Sequence, residues 1–482
     1  MSQNVNTKAI LITFMIGAFF AILNETLLNI ALTELMNVFN VSPTTVQWLA
    51  TGFMLVMGVL MPISAVLIQW FTTRQMFIGV MSIFLMGTVI AASAINFPML
   101  LTGRMIQAVG TGLLIPVIFN AILLLYRPEV RGKIMGTFGL VIMFAPAIGP
   151  TASGVIVDLL GWRWLFLIVI PFALFSILFA WKFLQNVGEV TRPRIDVLSI
   201  LLSSVSIGGI VYGFSSIGES DQGISGTIIA ILVMSIISLV VFVLRQLKLE
   251  EPLLDVRVFR YKNYATGIVI FVIVIMAMFA SEIVMPMYLQ GPLGYSAKLA
   301  GLLLLPGALL NGLMSPVMGT LFDKYGPRKL IIPGTIVLVG VMVFFSNIEP
   351  GVPTWSFVLA YIALMLSISA IMMPAQTNAL NELPKALYPH GTAIANTLQP
   401  VAGALGVSVF VNIMTRGQES YIQNQTGTAT EDVLNSAMTQ GVHYAYWFAL
   451  VLCVIAFIAS LFVQKAIAPD FDSEEENQAK EF

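Results

Sequence analysis

Fourteen long apolar runs, joined by short polar links, leave this chain very few ways to fold. They lie near residues 9–32, 47–69, 75–95, 98–125, 133–157, 163–184, 196–217, 224–245, 264–289, 300–321, 329–347, 355–378, 391–414 and 444–464. A helix needs about 20 apolar residues to cross the hydrocarbon core of a bilayer. Each run reaches that length or falls just short of it, so an all-α membrane protein is expected. The first run is too long for a cleaved leader and has no small-residue cleavage site before the next polar stretch, so it reads as the first span. Only 10% of the residues are charged and 58% are hydrophobic, with a mean hydropathy of +0.92. A soluble domain carries about 25% charged residues, so lipid has to be the main solvent here.

Composition excludes several classes of function. The net charge of −1 offers no basic stripe for nucleic acid. The single cysteine, Cys453, permits neither an internal disulfide nor a cysteine metal site. His390 and His443 stand far apart near expected helix ends and read as interfacial side chains. No GxxxxGK[ST] phosphate loop is present, so ATP is not the expected energy source. Neither a metal nor a cofactor is expected.

Lys and Arg set the orientation, because they accumulate on the cytoplasmic side. With the N-terminus inside, the outer loops hold only Arg163, Lys298 and Arg416, and Arg104 falls within the fourth run. The other nineteen of the 23 basic residues lie on the inner side, so both termini are expected in the cytoplasm. The links leave no room for a soluble catalytic domain. The largest outer segment, 415–443, is polar and is expected to carry a short helix, whereas the acidic tail 469–482 reads as disordered.

Three charges interrupt the oil at one depth. Glu25 lies ~24 Å along the first helix at 1.5 Å per residue, in its outer third. Arg104 sits six residues into the fourth helix, which enters from outside, and Glu282 lies at a similar outer depth on the ninth. A charge at the bilayer centre costs about 2.5–3.5 kcal/mol on insertion scales. Such groups persist where they face one another or a wet cavity. One reading is a structural ion pair between helices. The other is that an acid binds and releases a proton, since a carboxyl withdrawn from water holds its proton more tightly. Asn24 and Gln107 share the layer as neutral hydrogen-bonding groups and as candidate substrate contacts.

The chain also repeats itself. Glu25 precedes Arg74 by 49 residues, and Glu282 precedes Arg328 by 46. Each half carries an outer-third acid on its first helix and an arginine-bearing inner turn after its second. Parallel repeats of this kind place a transport site near the midplane, between halves that rock. The fourteen runs then divide into a six-helix bundle at 1–188, two inserted helices within 189–260, a second six-helix bundle at 261–468 and the tail.

The motifs resemble those of the major facilitator superfamily. "GTLFDKYGPRK" is similar to its cytoplasmic loop signature through Gly319, Asp323, Gly326 and Arg328. "LLTGRMIQAVGTGLLIP" resembles the fourth-helix signature through Arg104, Gln107, Gly110 and Gly112. "FAPAIGPTASGVIVDLLGWRWLF" resembles the fifth-helix antiporter signature through Gly149, Pro150 and Gly154. "ILNETLLNIAL" resembles the first-helix signature of the fourteen-span drug:proton antiporters of the EmrB/QacA type, and within them of the bacterial lincomycin-resistance exporters. The resemblance spans essentially the whole chain. Three positions depart from it: Gln69 stands where the family has Asp, Thr72 where it has Gly, and Asn24 where it has the first-helix acid, with Glu25 next to it.

What the resemblance implies is a monomeric exporter in a bacterial cytoplasmic membrane. A small amphipathic or cationic drug-like molecule would leave as protons enter. Glu25, Glu282 and Arg104 would carry the coupling, and Gly149, Pro150 and Gly154 would form a hinge or tight seam. Asp323, Gly326 and Arg328 would clamp helix ends at the inner face. A facilitator or proton symporter importing a nutrient shares the fold and stays open as an alternative; the fifth-helix signature speaks against it. A membrane enzyme or channel lacks any supporting motif. Trp162 and Trp164 suit a headgroup anchor. The 32 Phe and 26 Met permit a pliable lining without showing one.

Overall fold

The computed structural model describes residues 7–125, 128–184, 186, 196–217, 225–249, 252–384, 387–424 and 430–466. Helices dominate, and no strand occurs among the described residues. First come α1 (Thr7–Phe39), the short α2 (Pro43–Val46), α3 (Trp48–Trp70), α4 (Thr73–Ala92), α5 (Phe97–Leu125), α6 (Pro128–Leu160), the short α7 (Trp164–Leu167) and α8 (Val169–Phe183). Next stand α9 (Val197–Ser216) and α10 (Gly226–Gln246). The last six are α11 (Lys262–Gln290), α12 (Ala297–Tyr325), α13 (Arg328–Phe345), α14 (Thr354–Asn381), α15 (Tyr388–Gln423) and α16 (Glu431–Leu461). Thirteen helical stretches are long and apolar enough to cross a bilayer. The remaining expected run falls on α6, whose described apolar part is Phe144–Leu160.

Local chemistry sets the helix ends. Thr72, where the family pattern has glycine, caps α4: its side chain accepts from the Gln75 N–H, and the Gln75 side chain accepts from the Thr72 N–H. At the starts of α2, α9, α10 and α12 the side chains of Ser42, Asp196, Ser225 and Ser296 each accept from a backbone N–H of the first turn. Gly326 ends α12 at φ +78°, a left-handed backbone that glycine adopts without a Cβ clash. Proline sits inside many of the long helices, as at Pro150, Pro286 and Pro400. Neighbouring helices tolerate the freed carbonyls in this setting.

The helices pack as two similar groups. In the first, α4 lies against α5 and α8, α1 against α6 and α8, and α3 against α5. In the second, α11 lies against α14, α15 and α16, and α13 against α14 and α16. A shared fastening makes the repeat visible at the face where α1 begins, the near face. Arg74, in the first turn of α4, donates to the Trp181 carbonyl near the end of α8. Arg328, in the first turn of α13, donates to the Leu461 carbonyl at the end of α16, 3.2 Å away. A cation at a helix C-terminus satisfies carbonyls that have no partner within the helix.

The halves meet along α6 and α12, α3 and α15, and α1 and α11. Four hydrogen bonds join them among the described residues: Asn29 to Glu282, Gln290 to the Ile30 carbonyl, Thr151 to the Gly301 carbonyl, and Thr51 with Ser408. All four lie in the half of the molecule away from the near face. The two halves are therefore held together towards the far face.

The outer segment 415–443 differs from the expected loop with its own short helix. Most of it continues α15 and α16, which run on as a pair to Gln423 and from Glu431. Glycine permits this close pairing beyond the apolar layer. A Cβ on Gly441 would strike the Met414 backbone, and one on Gly417 would come within 2.9 Å of the Gly441 Cα. The tail 469–482 lies outside the described residues.

Candidate functional site

The site begins with Arg104, which is 1% exposed on α5. One of its terminal nitrogens donates to the Asn24 side-chain oxygen at 2.8 Å, to the Asn24 carbonyl at 3.2 Å and to Gln107 Oε1 at 3.1 Å. Its guanidinium also lies 4.2 Å from the centre of the Phe53 ring on α3, a cation–π contact. Gln107 is in turn held by its donation to Thr88 on α4 at 2.7 Å. The arginine thus ties α1, α3, α4 and α5 together through neutral acceptors. No ion pair within 4 Å includes it among the described residues, where the pairs are Arg245–Asp196 and Arg257–Asp255.

Asn24 and Gln107 are accordingly buried parts of this clamp, at 1% and 0% exposure, rather than cavity-facing groups in this conformation. Arg104→Lys replaces a planar fork by a point charge and removes both the Nε that donates to the Leu49 carbonyl at 3.5 Å and the plane that lies over Phe53. A hydrogen bond to a charged group contributes about 1.5–3 kcal/mol, so the variant should unfold in detergent at a lower Tm. An unchanged Tm would show that the clamp contributes no stability.

Glu25 sits one residue beyond Asn24 and is turned about 100° around the helix from it. Its neighbours Asn24 and Thr26 are buried, yet Glu25 retains exposure. Glu282 behaves alike: Ser281 and residues 283–289 are buried, while Glu282 is only partly so. Glu25 stands within electrostatic range of Arg104 and of Glu282. Tyr361, fully enclosed on α14, stands within range of Glu282. The structure therefore brings the two acids and the arginine of the sequence reading into one layer. The acids reach accessible space, and the arginine is withdrawn from it.

Asn29 belongs to the same site and was not singled out in the sequence. Its Nδ2 donates to Glu282 Oε2 at 3.3 Å, from the first half to the second. A signal existed: Asn29 lies four residues after Glu25, on the same face of one helix.

The glycine–proline stretch forms a seam on α6. A Cβ on Gly149 would strike the Thr26 hydroxyl of α1, next to Glu25. A Cβ on Gly154 would strike the Ala297 carbonyl of α12, and one on Gly301 would meet the Pro150 carbonyl at 2.6 Å. Thr151 donates to the Gly301 carbonyl at 3.0 Å, locking the two helices in register. So α6 touches the acid-bearing helix with one glycine and the opposite half with another. Pro150 lies between them and lacks the N–H that would stiffen the helix there.

The remaining motif residues lie at the near face, away from this layer. Gly326 makes the turn after α12, and Arg328 fastens α13 to α16 within one half. The Asp323 side chain lies outside the described residues. His390 accepts from the Asp255 N–H, and His443 Nε2 bonds to the Ile348 carbonyl. No group of three or more potential metal ligands occurs among the described residues. Trp162 is buried against Phe39 and Phe166, whereas Trp164 is exposed as an interfacial anchor would be.

Comparison with known proteins agrees with this architecture. The Major Facilitator Superfamily model matches residues 14–407. The lincomycin resistance protein LmrB of Bacillus subtilis (strain 168) is 47% identical over 465 residues, covering 96% of this chain and 97% of its own. That of Listeria monocytogenes is 48% identical over 464 residues, covering 96% and 98%. Among solved structures, a bacterial homologue of the human lysosomal transporter Spinster superposes with a TM-score of 0.68 at 14% identity, covering 97% of this chain and 98% of that one. The chain is a multi-pass membrane transporter of the Major Facilitator Superfamily, in the EmrB/QacA-type group to which its motifs point.

Proposed function

We propose that this protein exports small amphipathic or cationic drug-like molecules in exchange for protons, by alternating access between its two halves. The relatives that match along nearly their whole length are lincomycin resistance proteins, which supports an antibiotic-type cargo. In this reading the chain spans the membrane fourteen times with both termini in the cytoplasm. The near face is then the cytoplasmic one, from which a drug enters.

The observation that carries the proton assignment is the link from Asn29 to Glu282 across the halves, with Glu25 in electrostatic range. Two ionised carboxylates in one desolvated layer repel each other, and repulsion is relieved by a proton or by a cationic cargo. Each binding event therefore changes the free energy of holding the halves together at the far face. A proton entering down the membrane potential contributes about 2.3 kcal/mol per 100 mV, enough to drive uphill export without nucleotide. Glu25, Glu282 and Arg104 form the coupling group. Gly149, Pro150 and Gly154 form the seam that opens, and Asp323, Gly326 and Arg328 keep the near-face helix ends in place.

The test uses protein reconstituted with its cytoplasmic face outward, in liposomes with an acidic lumen and a lumenal pH dye. Added lincomycin, or a lipophilic cation such as ethidium, should accumulate inside while lumenal protons leave. Proton entry together with the cargo would make the protein a symporter. Cargo movement with no proton movement would make it a facilitator. Either result overturns the proposal.

A further inference from the structure

The last described residues of the chain are pinned where two helices of the second half begin and end. Gln464 donates its N–H to the Asn263 side chain at the start of α11, 3.0 Å away, and its carbonyl accepts from Asn378 in the last turn of α14 at 2.9 Å. Ala466 donates its N–H to the same Asn378 side chain at 3.0 Å. These bonds satisfy backbone groups of a segment that has left the helix. The chain therefore departs from the near face at a fixed point, and residues 467–482 follow outside the described residues.

Cations surround that point. Lys465 lies between the two pinned residues, and its side chain passes the turn that ends α12: a Cβ on Gly326 would lie 3.8 Å from Lys465 Cδ. Beside Gly326 stand Lys324 and Lys329, 5.2 and 5.7 Å from the centre of the Tyr325 ring, and Arg328, which donates to the Leu461 carbonyl. Lys262 immediately precedes Asn263. All five cations are exposed, and neither ion pair found among the described residues includes one of them. Two acids belong to the same region of the chain. Glu382 stands one turn after Asn378 with a buried carboxylate oxygen, and Asp323 immediately precedes Lys324. The cations outnumber them.

The opposite charge follows at once in the sequence. Asp470, Asp472, Glu474, Glu475 and Glu476 fall within seven positions that begin four residues beyond Ala466. At about 3.3–3.6 Å per residue, this stretch is long enough to turn back over Lys465 and Gly326. One exposed ion pair contributes little. A tethered run of acids meets several cations at once, at an effective concentration in the millimolar range, and closing so short a loop costs little entropy.

We infer that the acidic segment 470–476 docks on this near-face patch, bridging the α12–α13 turn and the end of α16. The patch thus takes carboxylates of its own chain rather than lipid headgroups. The contact sets opposite charge against the turn that carries Gly326 and Arg328.

Paired spin labels test it in the full-length protein with Cys453→Ser, which removes the single native cysteine. One label is placed at Ser473→Cys, within the acidic segment, and the other at Thr320→Cys, exposed on α12 before the turn. In phosphatidylcholine nanodiscs at low salt the distance distribution should be narrow. It should broaden at least about twofold at 1 M salt, where the screening length falls to about 3 Å. The variant D470N/D472N/E474Q/E475Q/E476Q and, separately, K324Q/K329Q/K465Q should broaden it as much without added salt. Nanodiscs containing phosphatidylglycerol should keep it narrow. A width that neither salt nor either variant changes overturns the inference. Broadening in phosphatidylglycerol overturns it too, because headgroups then hold the cations. Transport plays no part in this readout, so its failure is distinct from a failure of the proposed function.

Discussion

Glu25→Gln should insert and fold like the wild type, yet drive no export from an imposed pH gradient. The substitution preserves shape and removes the carboxyl that α1 places in the layer of Arg104 and Glu282. Arg104 does not depend on Glu25 for its hydrogen bonds, which go to Asn24 and Gln107, so the clamp survives and Tm should stay near the wild-type value. Gradient-driven export in proteoliposomes should fall to the level of empty liposomes. Coupling retained in this variant would remove Glu25 from the mechanism. A companion variant sharpens the point. Adding Asn24→Asp to Glu25→Gln restores an acid at the position where the family pattern has it. That carboxylate would lie within 3 Å of the Arg104 nitrogen now bonded to the Asn24 oxygen at 2.8 Å, and a paired carboxylate resists protonation. No rescue is expected.

The second large effect is expected at the seam. Gly154→Ala should already impair transport, and Gly154→Leu should impair it severely. The first added carbon meets the backbone of Ala297 and Lys298, with the Lys298 Cα 3.0 Å away. Backbone cannot rotate aside as a side chain can, so α6 and α12 have to separate. Overpacking of this kind costs about 1–3 kcal/mol, and about 1.4 kcal/mol is a tenfold change in a two-state population. The far-face-closed state should lose that much of its population. Transport should fall at least about tenfold for the leucine variant, and a cysteine placed at Thr151 should react faster with a membrane-impermeant thiol reagent added at the far face. Wild-type transport with unchanged labelling would reduce the glycine to ordinary packing. Gly149→Leu should act through the other contact, pressing on Thr26 beside Glu25.

These two experiments join the ends of one physical chain. The acid on α1 lies beside Thr26, Thr26 meets Gly149, and α6 carries that contact on to Gly154 and the opposite half. A change of charge at Glu25 thus has a short mechanical route to the far-face seal.

Much of this molecule was legible in its residues. The apolar runs marked out the helices because a bilayer leaves the backbone one economical way to satisfy itself. Depth counted at 1.5 Å per residue brought Glu25, Arg104 and Glu282 into one layer from three distant segments. Spacing also exposed the repeat, which reappears as Arg74 and Arg328 fastening equivalent helix ends. Partner choice was not legible. Asn24 and Gln107 have the chemistry of cargo contacts, and in this structure both accept from Arg104. The polar segment 415–443 has the composition of a loop, but paired glycines hold α15 and α16 together through most of it.

The sequence by itself determined the solvent of this protein, its helices, its internal repeat and the depth of its charges, because each depends on residue type and spacing along one chain. Tertiary structure alone decided that both acids keep some exposure while Arg104 does not, which groups satisfy Arg104, that Asn29 reaches Glu282, and that α9 is bonded to α15. Those are choices among partners far apart in the chain. In a low-dielectric interior, a polar group is defined by whichever partner packing brings within 3 Å, and no local pattern records that distance.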